Sequence, residues 1–243
     1  MNTRGFRLHV HEALPSTSEL LIQLAEAGEP EGYAVLALRQ TAGRGTQGRA
    51  WQGPSGNMYM SVLLRPAEAP RFAAQWSLLA VLAVADALAP RLPDPSVLSV
   101  KWPNDLMLGG AKAAGILTDI ATDESGGIAW VVLGIGVNLG VAPQVPGRMT
   151  ACLADLGVTP PSPQEFAADL LDAIDRRRTQ RATEGFAPLR AAWLAIGPAI
   201  GTHLAIRCQG AEIAGRFAGL AEDGSLLLDT GERVQTLASG EVA

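Results

Sequence analysis

Glycine and arginine alternate through Gly43-Arg44-Gly45-Thr46-Gln47-Gly48-Arg49-Ala50-Trp51, and three common nucleotide-binding folds lay claim to such a run. Gly43, Gly45 and Gly48 satisfy G-x-G-x-x-G literally, behind a strand candidate at Tyr33–Leu38. A dinucleotide fingerprint needs a helix to begin at once, whereas Gly53, Pro54 and Gly56 follow here. A Walker A loop needs Lys-Ser/Thr where this chain has Arg49-Ala50. A kinase glycine loop needs His-Arg-Asp and Asp-Phe-Gly partners, and the chain has neither. What survives is a glycine-rich segment whose backbone amides and two forked guanidiniums suit a carboxylate or phosphate. An ordinary surface loop is the plain alternative.

Working outward, Ser16-Thr17-Ser18-Glu19 has the capping-box pattern, with Leu20, Leu21, Leu24 and Ala27 as the apolar face and Gly28 as the stop. Further strands are predicted at Asn57–Leu64, Val97–Lys101, Gly115–Ala121 and Ile128–Val137, and a long helix over Phe72–Leu88. Residues 140–163, rich in Pro and Gly, read as a loop with one short helical turn. Ser162-Pro163-Gln164-Glu165 is a second capping box, followed by Phe166, Leu170 and Ile174, and a further helix carries Leu189 and Trp193. From about Gly201 the texture changes to short strands, His203–Cys208, Glu212–Leu220, Ser225–Asp229 and Arg233–Leu237. Turns at Gln209-Gly210, Asp223-Gly224 and Thr230-Gly231 separate them. The chain therefore reads as an α+β domain over 1–198 followed by a small all-β barrel over 199–243.

With 48% hydrophobic and 18% charged residues in 243, the chain can bury a sizeable core. A net charge of −5 gives no footprint for a phosphate backbone, so DNA is not an expected partner. Cys152, Cys208 and the three histidines show no metal-ligand spacing; the cysteines read as reduced core or surface thiols, and Cys152 as structural. The N-terminus has no apolar signal core, and the run at 78–89 contains Asp86 and is shorter than the roughly 20 residues of a membrane span. A cytoplasmic protein without a membrane partner is expected.

Three more motifs carry chemistry. Lys101-Trp102-Pro103-Asn104-Asp105 runs from a strand into a turn that offers an amide and a carboxylate together, though Asn and Asp also serve turns by bonding their own backbone. Lys112-Ala113-Ala114-Gly115 puts a lysine on a glycine turn before an apolar strand. In Gly134-Ile135-Gly136-Val137-Asn138 the glycines mark either close approach of a ligand or a bulge, and Asn138 has the donor–acceptor pair that suits adenine.

Order and spacing together are far more specific than any one motif, and the chain resembles the biotin–protein ligase family over essentially its whole length. The glycine-arginine loop at Gly43–Trp51, the Lys-Trp-Pro-Asn-Asp signature, the lysine–glycine segment at Lys112–Leu117 and the strand at Gly134–Asn138 all match. Ser16-Thr17-Ser18 matches the family's Ser-Thr-Asn start, and Gln40 precedes the loop as expected. The resemblance implies a catalytic domain related to class II aminoacyl-tRNA synthetases and an SH3-like C-terminal domain, without the DNA-binding arm some members carry. It implies no permanently bound cofactor. Biotin and ATP are the substrates, with Mg²⁺ arriving on ATP, a biotin carboxyl carrier protein is the partner, and a homodimer is allowed.

The resemblance also implies roles. Lys112 is the principal catalytic cation and Arg44 holds the carboxylate or phosphate. Asp105 accepts the proton of the incoming lysine. Ser16, Thr17, Ser18 and Gln40 bind the biotin ring, with Arg44, Gly45, Thr46 and Lys112 completing that end. Arg49, Trp51, Lys101, Asn104 and Asn138 serve ATP or the adenylate, and no metal is held by the protein alone. Two positions depart from the pattern: Ser18 replaces Asn, and Thr46 stands where many members have a third arginine. The rival readings are a lipoate or octanoate ligase on the same fold, and a non-catalytic biotin-binding protein.

Overall fold

The structure is a computed structural model describing residues 2–3, 5–208 and 210–242. Gln209 of the expected Gln209-Gly210 turn lies outside the described residues. In chain order the elements are β1 (Asn2–Thr3), β2 (Phe6–His11), α1 (Thr17–Glu26), β3 (Tyr33–Ala37), β4 (Gln40–Arg44), β5 (Ala50–Gly53), β6 (Met58–Leu64) and α2 (Ala73–Leu88). There follow β7 (Leu98–Lys101), β8 (Asp105–Leu108), β9 (Ala111–Thr122), β10 (Ile128–Val137), α3 (Pro163–Glu184) and α4 (Ala187–Ile196). The chain closes with β11 (His203–Cys208), β12 (Ala211–Leu220), β13 (Leu226–Asp229), β14 (Val234–Leu237) and β15 (Glu241–Val242).

Eight strands form one sheet in the order β1-β2-β3-β6-β10-β9-β8-β7, in which only β2 and β3 run parallel. Side chains alternate across such a sheet. Val131, Leu133, Ile135 and Val137 of β10 accordingly join the main core under α2 and α3, while Trp130 and Val132 pack with Leu21 and Ala25 of α1. The same period puts Gly134 and Gly136 on the α1 face, and that face carries the site.

The helix α2 is buried nearly all round, between the sheet, α3 and the barrel. With its flanking tight turns the helical run spans Pro70–Arg91, 22 residues. It is thus longer than the 78–89 stretch suggested, and long and apolar enough by composition to cross a membrane. Burial explains that composition, because 67% of its most apolar window lies inside the protein. Asp86, the one charged residue within α2 itself, is gripped from α3 by Arg177 through Nε (2.7 Å) and Nη2 (2.8 Å). The second capping box forms as expected: Glu165 N donates to Ser162 Oγ, and Glu165 Oε2 accepts from Ser162 N. In α1 the buried apolar residues are Leu21 and Ala25, whereas Ala27 is exposed past the helix end.

The five-stranded barrel sheet runs β14-β13-β12-β11-β15. Its Ile206, Phe217 and Leu228 join the main core, where Phe217 meets Trp193 of α4 with ring centroids 6.2 Å apart. Gln75 of α2 donates to the carbonyl of Glu222 at 2.6 Å across the same junction. The expected division at 198/199 falls between α4 and β11.

Several elements differ from expectation. The glycine-rich segment is a hairpin, β4–β5, pairing Gly43 with Trp51 and Arg44 with Ala50. β8 turns back on β7, so Lys101 pairs with Asp105. β9 starts earlier than Gly115, which places Lys112 inside a strand rather than in the turn before one.

Candidate active site

Three adjoining cavities meet at Lys112. The first, about 440 Å³, is lined by Ser16, Thr17, Ser18, Gln40, Arg44, Gly45 and Thr46, with Asn104, Lys112 and the glycines of β9 and β10. The second, about 730 Å³, is walled by Trp51, Asn138, Pro143, Val145 and Thr150 with Arg49 and Arg148 at its rim. The third, about 890 Å³, is a charged chamber between the sheet edge and the last barrel strand, lined by Lys101, Asp105, Lys112, Arg148, Arg207 and Glu241 among others.

The first cavity is a network of neutral hydrogen bonds at the start of α1. Ser16 caps the helix, its Oγ accepting from Glu19 N at 3.4 Å. Gln40 Oε1 accepts from Thr17 N (2.8 Å) and Thr17 Oγ1 (3.1 Å), which leaves the amide nitrogen as the half of Gln40 that is free to serve a ligand. Ser61, a polar residue in the otherwise apolar β6, donates to Thr17 Oγ1 at 2.8 Å and lies 3.0 Å from Ser18 Oγ. Sequence reasoning passed over Ser61, although the one small polar side chain in Met-Tyr-Met-Ser-Val-Leu-Leu was a visible signal. Buried polar groups need such partners, and here they find one another.

The glycines of β10 admit protein rather than a bulge. The ladder is regular from Trp130 to Val137. A Cβ on Gly134 would stand 2.3 Å from Ser18 Oγ, and one on Gly136 only 2.5 Å from Trp51 Cε2. A Cβ on Gly115 would stand 2.8 Å from Cζ3 of the same Trp51 ring. Trp51 therefore lies flat on the sheet, a partition between the first two cavities, with Lys112 Nζ 5.3 Å from its ring centroid. In the second cavity, Trp51 Nε1 and Asn138 Oδ1 are buried without a hydrogen-bond partner among the described residues. Such an unmet donor and acceptor cost free energy that a ligand can recover. Asn138 Nδ2 is fixed by the Ala151 carbonyl at 3.1 Å. Asn57 braces the adjoining loop, its Oδ1 accepting from the backbone N of Leu139, Gly140 and Val141 at 2.9–3.1 Å.

Cations expected to meet a ligand already hold carboxylates. Lys112 Nζ is 2.5 Å from Asp105 Oδ1, both side chains largely buried. Arg44 reaches Asp119 at 3.3 Å. Arg49 Nη1 donates to both oxygens of Glu241 (3.0 and 2.8 Å), while its Nε and Nη2 hold the carbonyl and hydroxyl of Thr46 (3.1 and 2.8 Å). Arg148 Nη2 shares Glu241 Oε1 at 2.6 Å. Burial raises the Glu241 carboxyl, yet the Arg49 hydrogen bonds and the charges of Arg49, Arg148 and Lys101 outweigh it and hold the group below its usual value.

Most of the residues singled out from sequence converge here, with two relocations. Asn104 lines the first cavity, not the aromatic-walled second one, and its Nδ2 bonds the Ile116 carbonyl at 2.5 Å. Lys101 lines the charged chamber, away from Trp51 and Asn138. Arg148 and Glu241, which complete that chamber, were missed because they sit in a loop and a two-residue strand without pattern. Cys152 is buried under the loop and burial pushes its thiol up, as befits a structural cysteine. Among the described residues no group of three His, Cys, Asp or Glu side chains gathers to hold a metal.

The chain is similar to known proteins. Residues 10–138 match the Biotin/lipoate A/B protein ligase family, and residues 204–243 the Biotin protein ligase C terminal domain. A biotin–[acetyl-CoA-carboxylase] ligase from Paracoccus denitrificans is 39% identical over 219 residues, 86% of this chain and 88% of the relative. The bifunctional ligase/repressor BirA of Bacillus subtilis is 31% identical over 98% of this chain and 74% of its own length. The structure of an Aquifex aeolicus biotin protein ligase in complex with biotin and ATP superposes with a TM-score of 0.81 at 27% identity, covering 98% of this chain and 97% of that one. Both the catalytic and the C-terminal matches, together with the geometry of the cavities, place this chain in the biotin protein ligase family.

Proposed function

We propose that the chain activates biotin with ATP to biotinyl-5'-AMP and transfers the biotin to a lysine of a biotin carboxyl carrier protein. The observation that carries this is the meeting of two unlike cavities at one lysine: a neutral hydrogen-bonding cavity of about 440 Å³ and an aromatic-walled one of about 730 Å³, joined at Lys112. The relatives' activity and the Aquifex protein's ligands support the same reading.

On this reading Ser16, Thr17, Ser18 and Gln40 hold the ureido ring, with Ser61 setting the hydroxyls behind them. Trp51 and the orphaned Asn138 Oδ1 receive adenine, whose amino group is a donor. The carboxylate of biotin attacks the α-phosphorus as pyrophosphate leaves, and both stages build negative charge beside Lys112 and Arg44. The ε-amine of the carrier lysine then attacks the mixed anhydride and AMP departs. Asp105, on the far side of Lys112, is the carboxylate nearest that exchange and takes the proton. Mg²⁺ comes on the nucleotide's phosphate oxygens, which with water supply the hard oxygen ligands it requires. We assign the catalytic unit to 1–198 and the barrel to 199–243, working in the cytoplasm where ATP and carrier are found together.

The test is exchange of pyrophosphate into ATP, with biotin, lipoate and octanoate in separate reactions. Exchange with biotin alone is expected. Exchange with lipoate or octanoate in its place would move the chain to the other branch of the fold, and exchange with no acid would leave it a binding protein.

A further inference from the structure

The helix α1 ends without a basic residue in its own last turn, so its terminal carbonyls depend on donors from elsewhere. Arg65, the residue directly after β6, supplies them. Its Nη2 donates to the carbonyl of Ala25 (2.7 Å), and Nη2 and Nε both donate to that of Glu29 (2.9 and 3.0 Å). Nη1 donates at 3.1 Å to the carbonyl of Ala129. Ala129 is the extra residue of a bulge at the start of β10, where the register with β9 shifts between Ile128 and Trp130. The backbone N of Arg65 donates to Glu31 Oε2 at 2.8 Å, and Arg178 of α3 holds Glu31 Oε1 at 2.8 Å. One guanidinium thus ties the end of α1 and the end of β6 to the start of β10. The same three elements build the neutral cavity further along: Ser16, Thr17 and Ser18 open α1, Gly134 lies on β10, and Ser61 of β6 bonds the hydroxyls behind them. Strand alternation puts Ser61 and Arg65 on one face. The tie stands about 10 Å from the cavity along the helix, from Ser18 to Ala25, and about 13 Å along β6.

We infer that Arg65 is a positioning residue for the acid-binding cavity, fixing α1 along its own axis so that Thr17 and Ser18 meet the ring. The inference rests on the biotin reading of that cavity. Arg65 itself touches no substrate. Leu21 and Ala25 hold α1 against Val35, Leu63, Trp130 and Val132 by apolar contact, which has no preferred direction and resists sliding less than it resists separation. Hydrogen bonds, which weaken steeply with misalignment, set the axial position instead. At the cavity end those bonds run from Thr17 to Gln40 and from Ser61 to Thr17 and Ser18, and they involve the very hydroxyls that a ligand must share. A ring that takes those hydroxyls weakens the helix's anchor at that end. The guanidinium at the other end, beyond the ligand's reach, keeps the helix in place, and a cation there is also favoured by the helix dipole.

The experiment compares the full chain with Arg65→Lys and Arg65→Gln by equilibrium titration with biotin and, separately, with AMP, and by amide hydrogen exchange without ligand. Lysine keeps the charge and the stem, but one ammonium cannot reproduce the fork that spans the Ala25, Glu29 and Ala129 carbonyls. Biotin should bind about five- to tenfold more weakly to Arg65→Lys and more weakly again to Arg65→Gln, with AMP affinity unchanged in both. Without ligand, exchange at the first amides of α1, that of Thr17 among them, should speed up relative to β7 and β8, which the guanidinium does not touch. A role in stability alone would speed exchange in all these elements alike or weaken both ligands equally, and either result would overturn the proposal. Wild-type biotin affinity in the folded variants would overturn it too, and Arg65→Lys decides alone should Arg65→Gln fail to fold. If the wild-type chain bound no biotin, the proposed activity would fall, and the exchange comparison would still judge Arg65.

Discussion

The two ends of the site are built on opposite principles. At the α1 end, Thr17, Ser18, Gln40 and Ser61 are neutral, mostly buried and bonded to one another at 2.8–3.1 Å. At the hairpin end, Arg44, Arg49 and Arg148 are a third or more exposed and each holds a carboxylate, Asp119 or Glu241. A neutral network in a dry site can be complete before its ligand arrives, because hydroxyls and amides satisfy each other cheaply. Charged groups kept for an anion are held meanwhile by carboxylates of the same chain, in partly exposed pairs that cost little to exchange. The first end should therefore set which acid binds, and the second how fast phosphates come and go.

Lys112 stands between the two and gives the sharpest test. Lys112→Ala should lower adenylation by roughly 10²–10³-fold, since a preorganised cation beside a reacting phosphate is worth several kcal/mol in the transition state. The ion pair adds a consequence for stability that its residue type alone would not suggest. With Asp105 left largely buried and uncompensated, the variant should lose about 1–3 kcal/mol of stability. Adding Asp105→Asn should restore much of the stability and none of the adenylation. Near-normal adenylation in either folded protein would erase the contrast between the two ends, because neither would need the cation that joins them.

Thr46→Arg probes the charged end with a smaller effect. The family resemblance leads one to expect arginine at this position. In this chain Thr46 Oγ1 accepts from Arg49 Nη2 at 2.8 Å, so the threonine is part of what holds Arg49 in place. A third guanidinium over the adenylate exchanges a bond of about 1 kcal/mol for a charge-assisted one of about 1.5–3 kcal/mol. Release of preformed biotinyl-adenylate should slow by roughly tenfold. Equal off-rates would show that the hairpin's grip does not depend on charge at position 46.

How legible each end was follows from the same physics. The α1 end could be read because its devices are local: a cap at Ser16, a glutamine at the start of the hairpin, and an apolar helix face read as Leu20, Leu21, Leu24 and Ala27, of which Leu21 is buried while Ala25 takes the place expected of Ala27. β10, a ten-residue apolar run, and the capping box of α3 were equally plain. The hairpin itself was read as a loop, because β4 and β5 pair only through Gln40, Gly43 and Arg44 around a break in register. The meaning of Gly136 was hidden for another reason. Nothing local says that Trp51, 85 positions earlier, lies on it. Glu241 and Arg148 are further still from sequence reasoning, since an ion pair spanning 93 positions leaves no pattern in either segment.

Ser61→Ala is the smallest change and the cleanest on the neutral end. The hydroxyl donates to Thr17 Oγ1 and shares a hydrogen bond with Ser18 Oγ, and neither of those residues can turn to water, being 3% and 5% exposed. Alanine fits the space, so no clash or cavity of consequence arises, and the loss is close to that of one or two neutral hydrogen bonds, about 1–2 kcal/mol in all. Part of it appears as stability. The rest appears as biotin affinity, because Thr17 without Ser61 behind it is held only through Gln40 and less firmly against the ring it is proposed to hold. The KM for biotin should rise about fivefold with kcat and the KM for ATP unchanged, and salt should not alter the ratio between variant and wild type, since no charge has moved. Arg148→Gln should do the reverse, raising the KM for ATP with a marked salt dependence and leaving biotin alone. If both variants shifted both substrates equally, the two ends would be one coupled network, and the division between a complete neutral half and an exchanging charged half would fail.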